Sequence, residues 1–386
     1  MGMRRQSTSS LGIYVHIPFC LRKCDYCDFF SVSSARGDVP HEEYLRALAG
    51  QLRRDAAAHD LEGASVATVY FGGGTPSLMP PVFFEGILSE IGRVFSLDPG
   101  AEISSEVNPA TVDGRWFREV RKAGISRVSI GVQSFNPALL ESLGRIHSPE
   151  DAMRAIAEAQ EGGFEGAGVD LMYAIPGETM HDLEDDVRTA MAFQPGHISA
   201  YQLTIEEGTP LATRCVRQLP EDDQLKQMRT VARMLSRGGW NRYEISNFAR
   251  PGLECGHNLN YWRYGEYLGL GAGAASFVFA ELPFFAKRFT QIRDVARYMA
   301  GTSELVEAED IDPRTAMGEF CFLGLRASEG ISAEAFEKLF GVQLESVFGA
   351  PLEKLVAEKL LLKDSNRFSL TQRGVELSNQ VFENFV

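Results

Sequence analysis

The chain has 386 residues, 44% of them hydrophobic, and a formal net charge of −14 at pH 7. That length suits one large domain plus a small one with a full apolar core. The acidic balance excludes nucleic acid as the main partner, because affinity for a phosphate backbone rests on Lys and Arg. Residues 1–10 are polar with no apolar run behind them, so no secretory signal is expected. Nor does any run reach the ~18 apolar residues of a membrane span. In a long chain of this kind clustered cysteines point to metal rather than to disulfides, which sets the protein in a reducing cytoplasm. Three of the six cysteines, Cys215, Cys255 and Cys321, are scattered and read as ordinary buried or partly buried thiols.

Strand-like and helix-like segments alternate from the start. Strands are expected over 11–16, 67–71, 102–106, 127–131, 168–172 and 197–203. Helices are expected over 41–58, 80–95, 113–123, 149–161, 179–191 and 221–238, from apolar residues at i, i+4 spacing such as Tyr44, Leu48 and Leu52. Gly124 is a helix stop. Six βα units in a row imply an α/β fold with a parallel sheet and helices outside it. Eight would close a TIM barrel, so six predict an open, partial (βα)6 TIM-type barrel, with a doubly wound sheet as the alternative. The barrel is favoured because Cys20, a triple glycine, Glu106, Gln133 and Asp170 all sit at or just past the ends of their strands, and a barrel gathers those ends at one mouth.

Beyond 243 the pattern changes. Residues 243–248 read as another strand, 255–262 (CGHNLNYW) as a functional loop, and 267–280 as a glycine-rich turn followed by a short strand. Three helices over 314–325, 332–340 and 344–358, two short strands within 360–370 and a helix capped by Thr371 resemble a winged helix. Residues 303–386 carry 8 Lys/Arg against 15 Asp/Glu, which favours a structural or protein-docking module over DNA binding. The chain is therefore divided into 1–240, 241–302 and 303–386. The middle segment completes the barrel, and the last forms a small winged-helix-like α+β domain.

Four groups of residues could carry chemistry. Cys20, Cys24 and Cys27 lie at C-x3-C-x2-C spacing within eight residues, on a loop leaving a strand. Three thiolates can each hold one iron of a [4Fe–4S] cube and leave the fourth iron open to a small chelating cofactor. The alternative, structural zinc, needs four closed ligands, with His16 as the fourth. Gly72-Gly73-Gly74-Thr75-Pro76 follows a strand directly, and its N–H groups can hold a carboxylate. Glu106, Gln133, Arg145 and Asp170 supply polar groups near strand ends; Arg145 can clamp a carboxylate as a bidentate fork. His257, with Tyr261 and Trp262 beside it, is either an axial haem ligand or a packed loop histidine.

The runs YVHIPFC at 14–20, GGGTPS at 72–77, EVNP at 106–109, SIGVQSF at 129–135, LGRIH at 143–147, DLM at 170–172, IPGET at 175–179, LTIE at 203–206 and YEISNF at 243–248 occur in order. With the cysteine spacing they resemble the coproporphyrinogen III oxidase-like branch of the radical S-adenosylmethionine (SAM) superfamily. The resemblance covers roughly 14–276 and extends more loosely to the C-terminal helices. It implies a partial barrel of the radical SAM kind, a [4Fe–4S] cluster on Cys20, Cys24 and Cys27, and SAM chelating the open iron through its amino and carboxyl groups. Tyr26 falls where an aromatic packs near the adenine. Tyr14, Gly73, Gly74, Thr75, Glu106, Gln133, Arg145 and Asp170 fall on SAM-contacting positions.

Two activities share that branch. One is the oxygen-independent coproporphyrinogen III dehydrogenase; the other is the haem chaperone of the HemW type. The dehydrogenase has a further cysteine two residues after the third, where this chain reads Asp28-Phe29. It also carries a longer N-terminal arm, whereas 19 residues precede Cys20 here. HNLNYW resembles the haem-binding motif of the chaperones. The resemblance thus implies haem held near His257 and passed to apo-haemoproteins such as respiratory enzymes, with peripheral contact at the inner membrane face and no anchor.

Overall fold

A computed structural model describes residues 10–35, 37–164, 166–214, 216–280 and 283–386. Cys215 lies outside the described residues. Six strands run parallel: β1 (Leu11–Ile17), β2 (Ser65–Gly73), β3 (Ser96–Val107), β4 (Arg127–Gln133), β5 (Gly168–Tyr173) and β6 (His197–Gln202). Each is followed by a helix: α1 (His41–Ala58), α2 (Pro81–Val94), α3 (Gly114–Lys122), α4 (Pro149–Glu161), α5 (Met180–Ala192) and α6 (Glu221–Arg237). All six expected βα units are present. Local chemistry sets the helix ends. Asp113 accepts the Trp116 N–H at 2.8 Å, Ser148 and Thr179 form capping boxes with Asp151 and Asp182, and Gly124 ends α3 at φ 111°.

Strand alternation explains the two faces of this sheet. Ile13, Val15, Val69, Phe71, Val128, Ile130, Val169 and Ile198 belong to the main apolar core under the helices. The residues between them face the barrel interior and are largely polar. Register aligns them in rows. Gly12 lies beside Thr68 and Thr68 beside Glu102; Tyr14 lies beside Tyr70 and Tyr70 beside Ser104; His16 lies beside Gly72.

The chain beyond α6 extends the sheet at both sides. β7 (Asn241–Arg242) pairs antiparallel with β8 (Asn247–Ala249), which adds antiparallel to β6. After helix α7 (Gly256–Trp262), β9 (Tyr267–Leu270) pairs parallel with β1. β10 (Ala275–Phe279), β11 (Ala286–Gln291) and β12 (Leu305–Ile311) follow antiparallel. The sheet order is β12-β11-β10-β9-β1-β2-β3-β4-β5-β6-β8-β7, with no closure between β12 and β7. Three expectations are corrected here. Residues 243–248 are not one strand, since 243–246 lie between β7 and β8. Residues 267–280 hold two strands rather than one, because the glycine-rich turn is shorter than its composition suggests. HNLNYW is a helix rather than a loop.

A second apolar core, rich in phenylalanine, is built from Phe320, Phe336, Phe348, Phe368 and Phe382 among others. It joins helices Pro313–Gly324, Ala333–Phe340 and Leu344–Ala357 to a small sheet of Ile331–Ser332, Arg367–Leu370 and Leu361–Asp364. Thr371 accepts the Gly374 N–H at 2.9 Å, the expected cap. Cys255 and Cys321 are buried, as expected. No helix among the described residues is long and apolar enough to cross a membrane.

Candidate cluster and cofactor site

The cysteine loop leaves β1 at the barrel mouth and is held from three sides. Cys27 N–H donates to the Cys24 carbonyl at 3.2 Å, closing a turn, and Asp25 N–H donates to Leu143 at 3.0 Å. Cys20 is buried and receives the Thr75 hydroxyl at 3.5 Å. Cys24 receives Arg145 Nη1 at 3.3 Å. Among the described residues no three His, Cys, Asp or Glu converge on a single metal ion. Structural zinc takes four closed ligands, whereas a cube takes one thiolate at each of three corners. His16 does not complete a zinc set either. Its Nδ1 meets Tyr14 Oη at 3.0 Å and its Nε2 meets the Phe30 carbonyl at 2.8 Å.

The triple glycine is the floor on which this loop packs. Gly73 has φ 108°, and a Cβ there would fall 2.4 Å from His16 Cε1. A Cβ on Gly74 would fall 2.8 Å from the Ile17 carbonyl, 2.9 Å from that of Phe19 and 3.0 Å from Cys20 Sγ. The glycines are thus required by the close approach of the cysteine loop. Their N–H groups are not free, contrary to the sequence expectation: Gly73 N donates to Glu106 Oε2 at 3.1 Å, and Gly74 N to the Ile17 carbonyl at 2.8 Å.

The polar residues expected at strand ends do converge, although Asp170 lies inside β5 and not at its end. Glu106 accepts Tyr70 Oη at 3.1 Å on its other oxygen. Burial, reinforced by Asp170, pushes its carboxyl up to about 7. Asp170 accepts the Ser199 and Ser129 hydroxyls at 2.6 and 2.8 Å, and burial raises its pKa in spite of them. Gln133 ends β4 at φ 68°, a left-handed conformation rare for a side-chain-bearing residue. Arg145 does not present the expected open fork. Nη1 is on Cys24, Nη2 donates to the Gly131 carbonyl at 2.6 Å, and Nε is buried without a partner among the described residues. Tyr26 packs against an apolar cluster that includes Leu139, Leu143, Met172 and Ile175. Outside the loop, a cavity of about 450 Å³ is lined by Arg22, Asp25, Arg145, His147 and Arg214 among others.

His257 lies elsewhere. It is only 1% exposed and sits at the opposite, floor end of the barrel, in the row of Gly12, Thr68 and Glu102. Nδ1 meets Thr68 Oγ1 at 2.8 Å and Nε2 meets Tyr261 Oη at 2.9 Å. Burial lowers its pKa to about 3, so the ring is neutral. Of the two readings, axial haem ligand or packed histidine, the geometry matches the packed one: the helix turns the ring inward and both nitrogens are taken. Sequence reasoning also missed Thr68, Tyr70, Glu102, Ser129 and Ser199. Their signal was polar residues at every second position of otherwise apolar strands.

Comparison with known proteins matches this geometry to a family. Residues 14–190 match the radical SAM superfamily and residues 311–377 the HemN C-terminal domain. The heme chaperone HemW of Escherichia coli is 36% identical, covering 97% of this chain and 98% of its own. That of Mycobacterium tuberculosis is 36% identical (98% and 96%), and that of Lactococcus lactis 33% (97% and 96%). The chain belongs to the HemW family. Coproporphyrinogen III oxidase (HemN) from Escherichia coli, at 20% identity, superposes with a TM-score of 0.82 over 99% of this chain and 91% of that one. HemW proteins and HemN therefore share one fold. As radical SAM family members, HemW chains are implied to carry a [4Fe–4S] cluster and SAM, and the thiols, the glycine cradle and the orphaned Arg145 nitrogen fit that pair.

Proposed function

We propose that this protein is a haem chaperone that binds haem and transfers it to apo-haemoproteins such as respiratory enzymes. The observation that carries this reading is the near-full-length similarity to heme chaperones at 33–36% identity. The Asp28-Phe29 pair after Cys27 supports it, because Phe29 is 67% exposed where the dehydrogenase would place a further thiol. Cys20, Cys24 and Cys27 hold the cluster. Tyr14, Tyr26, Gly73, Gly74, Thr75, Glu106, Gln133, Arg145 and Asp170 form the SAM pocket, with Glu106 and Asp170 aimed at cationic or hydroxyl groups and Arg145 offering its unpartnered Nε. When bound and reduced, the cluster supplies an electron to SAM chemistry. Residues 1–240 carry this pocket, 241–302 close it from below and beside, and 303–386 present the acidic module to a partner.

Titrating the reconstituted protein with haemin and then adding an apo-haemoprotein tests the reading. Stoichiometric binding followed by transfer is expected. Conversion of coproporphyrinogen III to protoporphyrinogen IX by the reduced protein with SAM would overturn it in favour of the dehydrogenase.

A further inference from the structure

The floor of the barrel is coupled to its mouth through one column of side chains. Glu102 on β3 anchors α7 by accepting the Gly256 N–H at 3.1 Å and the His257 N–H at 3.2 Å. This carboxylate at the first turn fixes where the helix begins. Gly12 on β1 leaves room for the helix: a Cβ there would lie 3.0 Å from Asn260 Nδ2 and 3.4 Å from His257 Cε1. The His257 ring, clamped between Thr68 and Tyr261, then stacks on Tyr70 with centroids 5.2 Å apart and planes at 21°. Tyr70 stacks in turn on Tyr14 at 6.3 Å and 21°. Its hydroxyl donates to Glu106, whose second oxygen holds the Gly73 N–H. Around Gly72 there is no slack, since a Cβ would meet Glu106, Tyr14 and Tyr70 each at 3.0 Å.

We propose that His257 is a positioning residue: through Tyr70 it sets the Glu106 carboxylate and the glycine segment at the SAM end of the pocket, and it does not ligate haem iron. The inference rests on the SAM reading of Glu106 given above. Iron would have to break the contact with Thr68 or Tyr261 and enter a packed interior. A role through Tyr70 uses the ring as it stands. The stack also explains why an aromatic-sized ring is wanted at a position whose hydrogen bonds a smaller polar residue could make.

The test uses the full chain with its cluster reconstituted, in wild-type, His257→Ala, His257→Phe and Tyr70→Phe forms. The readouts are iron and sulfide content, the SAM-induced change in the electron paramagnetic resonance spectrum of the reduced cluster, SAM affinity and haem stoichiometry. His257→Ala is expected to keep its cluster and its haem but to bind SAM about tenfold more weakly. His257→Phe restores the stacking surface and should recover most of that affinity. Tyr70→Phe removes one hydroxyl without changing shape, so it gives the answer even if His257→Ala fails to fold; it should weaken SAM without touching haem. Unchanged SAM affinity in Tyr70→Phe, or loss of haem from both His257 variants with SAM binding intact, overturns the proposal. A wild-type cluster spectrum indifferent to SAM overturns the underlying SAM reading, and this inference with it.

Discussion

The mouth and the floor of the barrel both carry recognisable motifs, yet they are finished differently. At the mouth, Arg145 keeps a buried nitrogen without a partner among the described residues, Gln133 sits in a strained backbone conformation, and Cys24 and Cys27 are part-exposed. At the floor, His257 has both ring nitrogens bonded and the first N–H groups of its helix capped, although Trp262 Nε1 of the same motif is buried without a partner among the described residues. Incompletely partnered groups are costly to keep in a folded chain and are retained where a ligand will complete them. On the proposed reading, motif residues at the mouth meet what binds, while His257 at the floor positions the mouth.

The largest test of this contrast is Cys24→Ala. It should abolish the cluster's broad absorption and its bound iron and sulfide while leaving the fold intact. Retention of full iron and sulfide would remove Cys24 as a ligand. Next comes Glu106→Gln, which removes a charge that a SAM ammonium would meet; SAM affinity should fall roughly 10- to 100-fold. The same variant has a pH signature. A carboxyl raised from 4.5 to about 7 holds its proton more tightly folded than unfolded. The native state therefore loses stability as pH climbs from about 4.5 through about 7. Melting curves across that window should be flatter for Glu106→Gln. They should not become level, because Glu178, pushed to about 8 by burial, and Asp186, pushed to about 6 by burial, act in the same sense.

Gly74→Ala should cost roughly 1–3 kcal/mol by forcing a methyl against two carbonyls and Cys20, with poorer cluster loading as the second readout. Normal loading with a normal melting point would show that the loop has slack. The smallest effect is expected at the floor. Thr68→Val leaves His257 Nδ1 unpaired and should cost about 1 kcal/mol, seen as a modestly lower melting temperature with cluster content unchanged. A loss of cluster there would erase the distinction between the two ends.

Much of the fold was legible because it is local. Strand alternation, helix spacing and caps such as Thr371 depend on residues a few positions apart, and most of those elements lie where expected. The mouth was legible for a related reason: Cys20, Cys24 and Cys27 share one loop, and the three glycines share one turn. What escaped was long-range. Thr68 and His257 are 189 residues apart, and no local pattern says that they touch. The seven-residue helix α7 begins without a side-chain cap of its own, because Glu102 supplies one from another strand. The same holds for Arg145, whose fork looked available until Gly131 and Cys24 were brought beside it.

An open sheet, unlike a closed barrel, has two rims that can recruit a strand from another molecule. Here one rim, β7, is two residues long. The other, β12, is exposed along all but its last residue, but Glu307, Glu309 and Asp310 line it. Arg288 and Lys287 on the neighbouring strand pair with Glu309 and Asp310 at 3.1 and 3.7 Å, and Thr290 donates to Glu307 at 3.3 Å. A strand that joined this rim would therefore meet ion pairs rather than bare carboxylates.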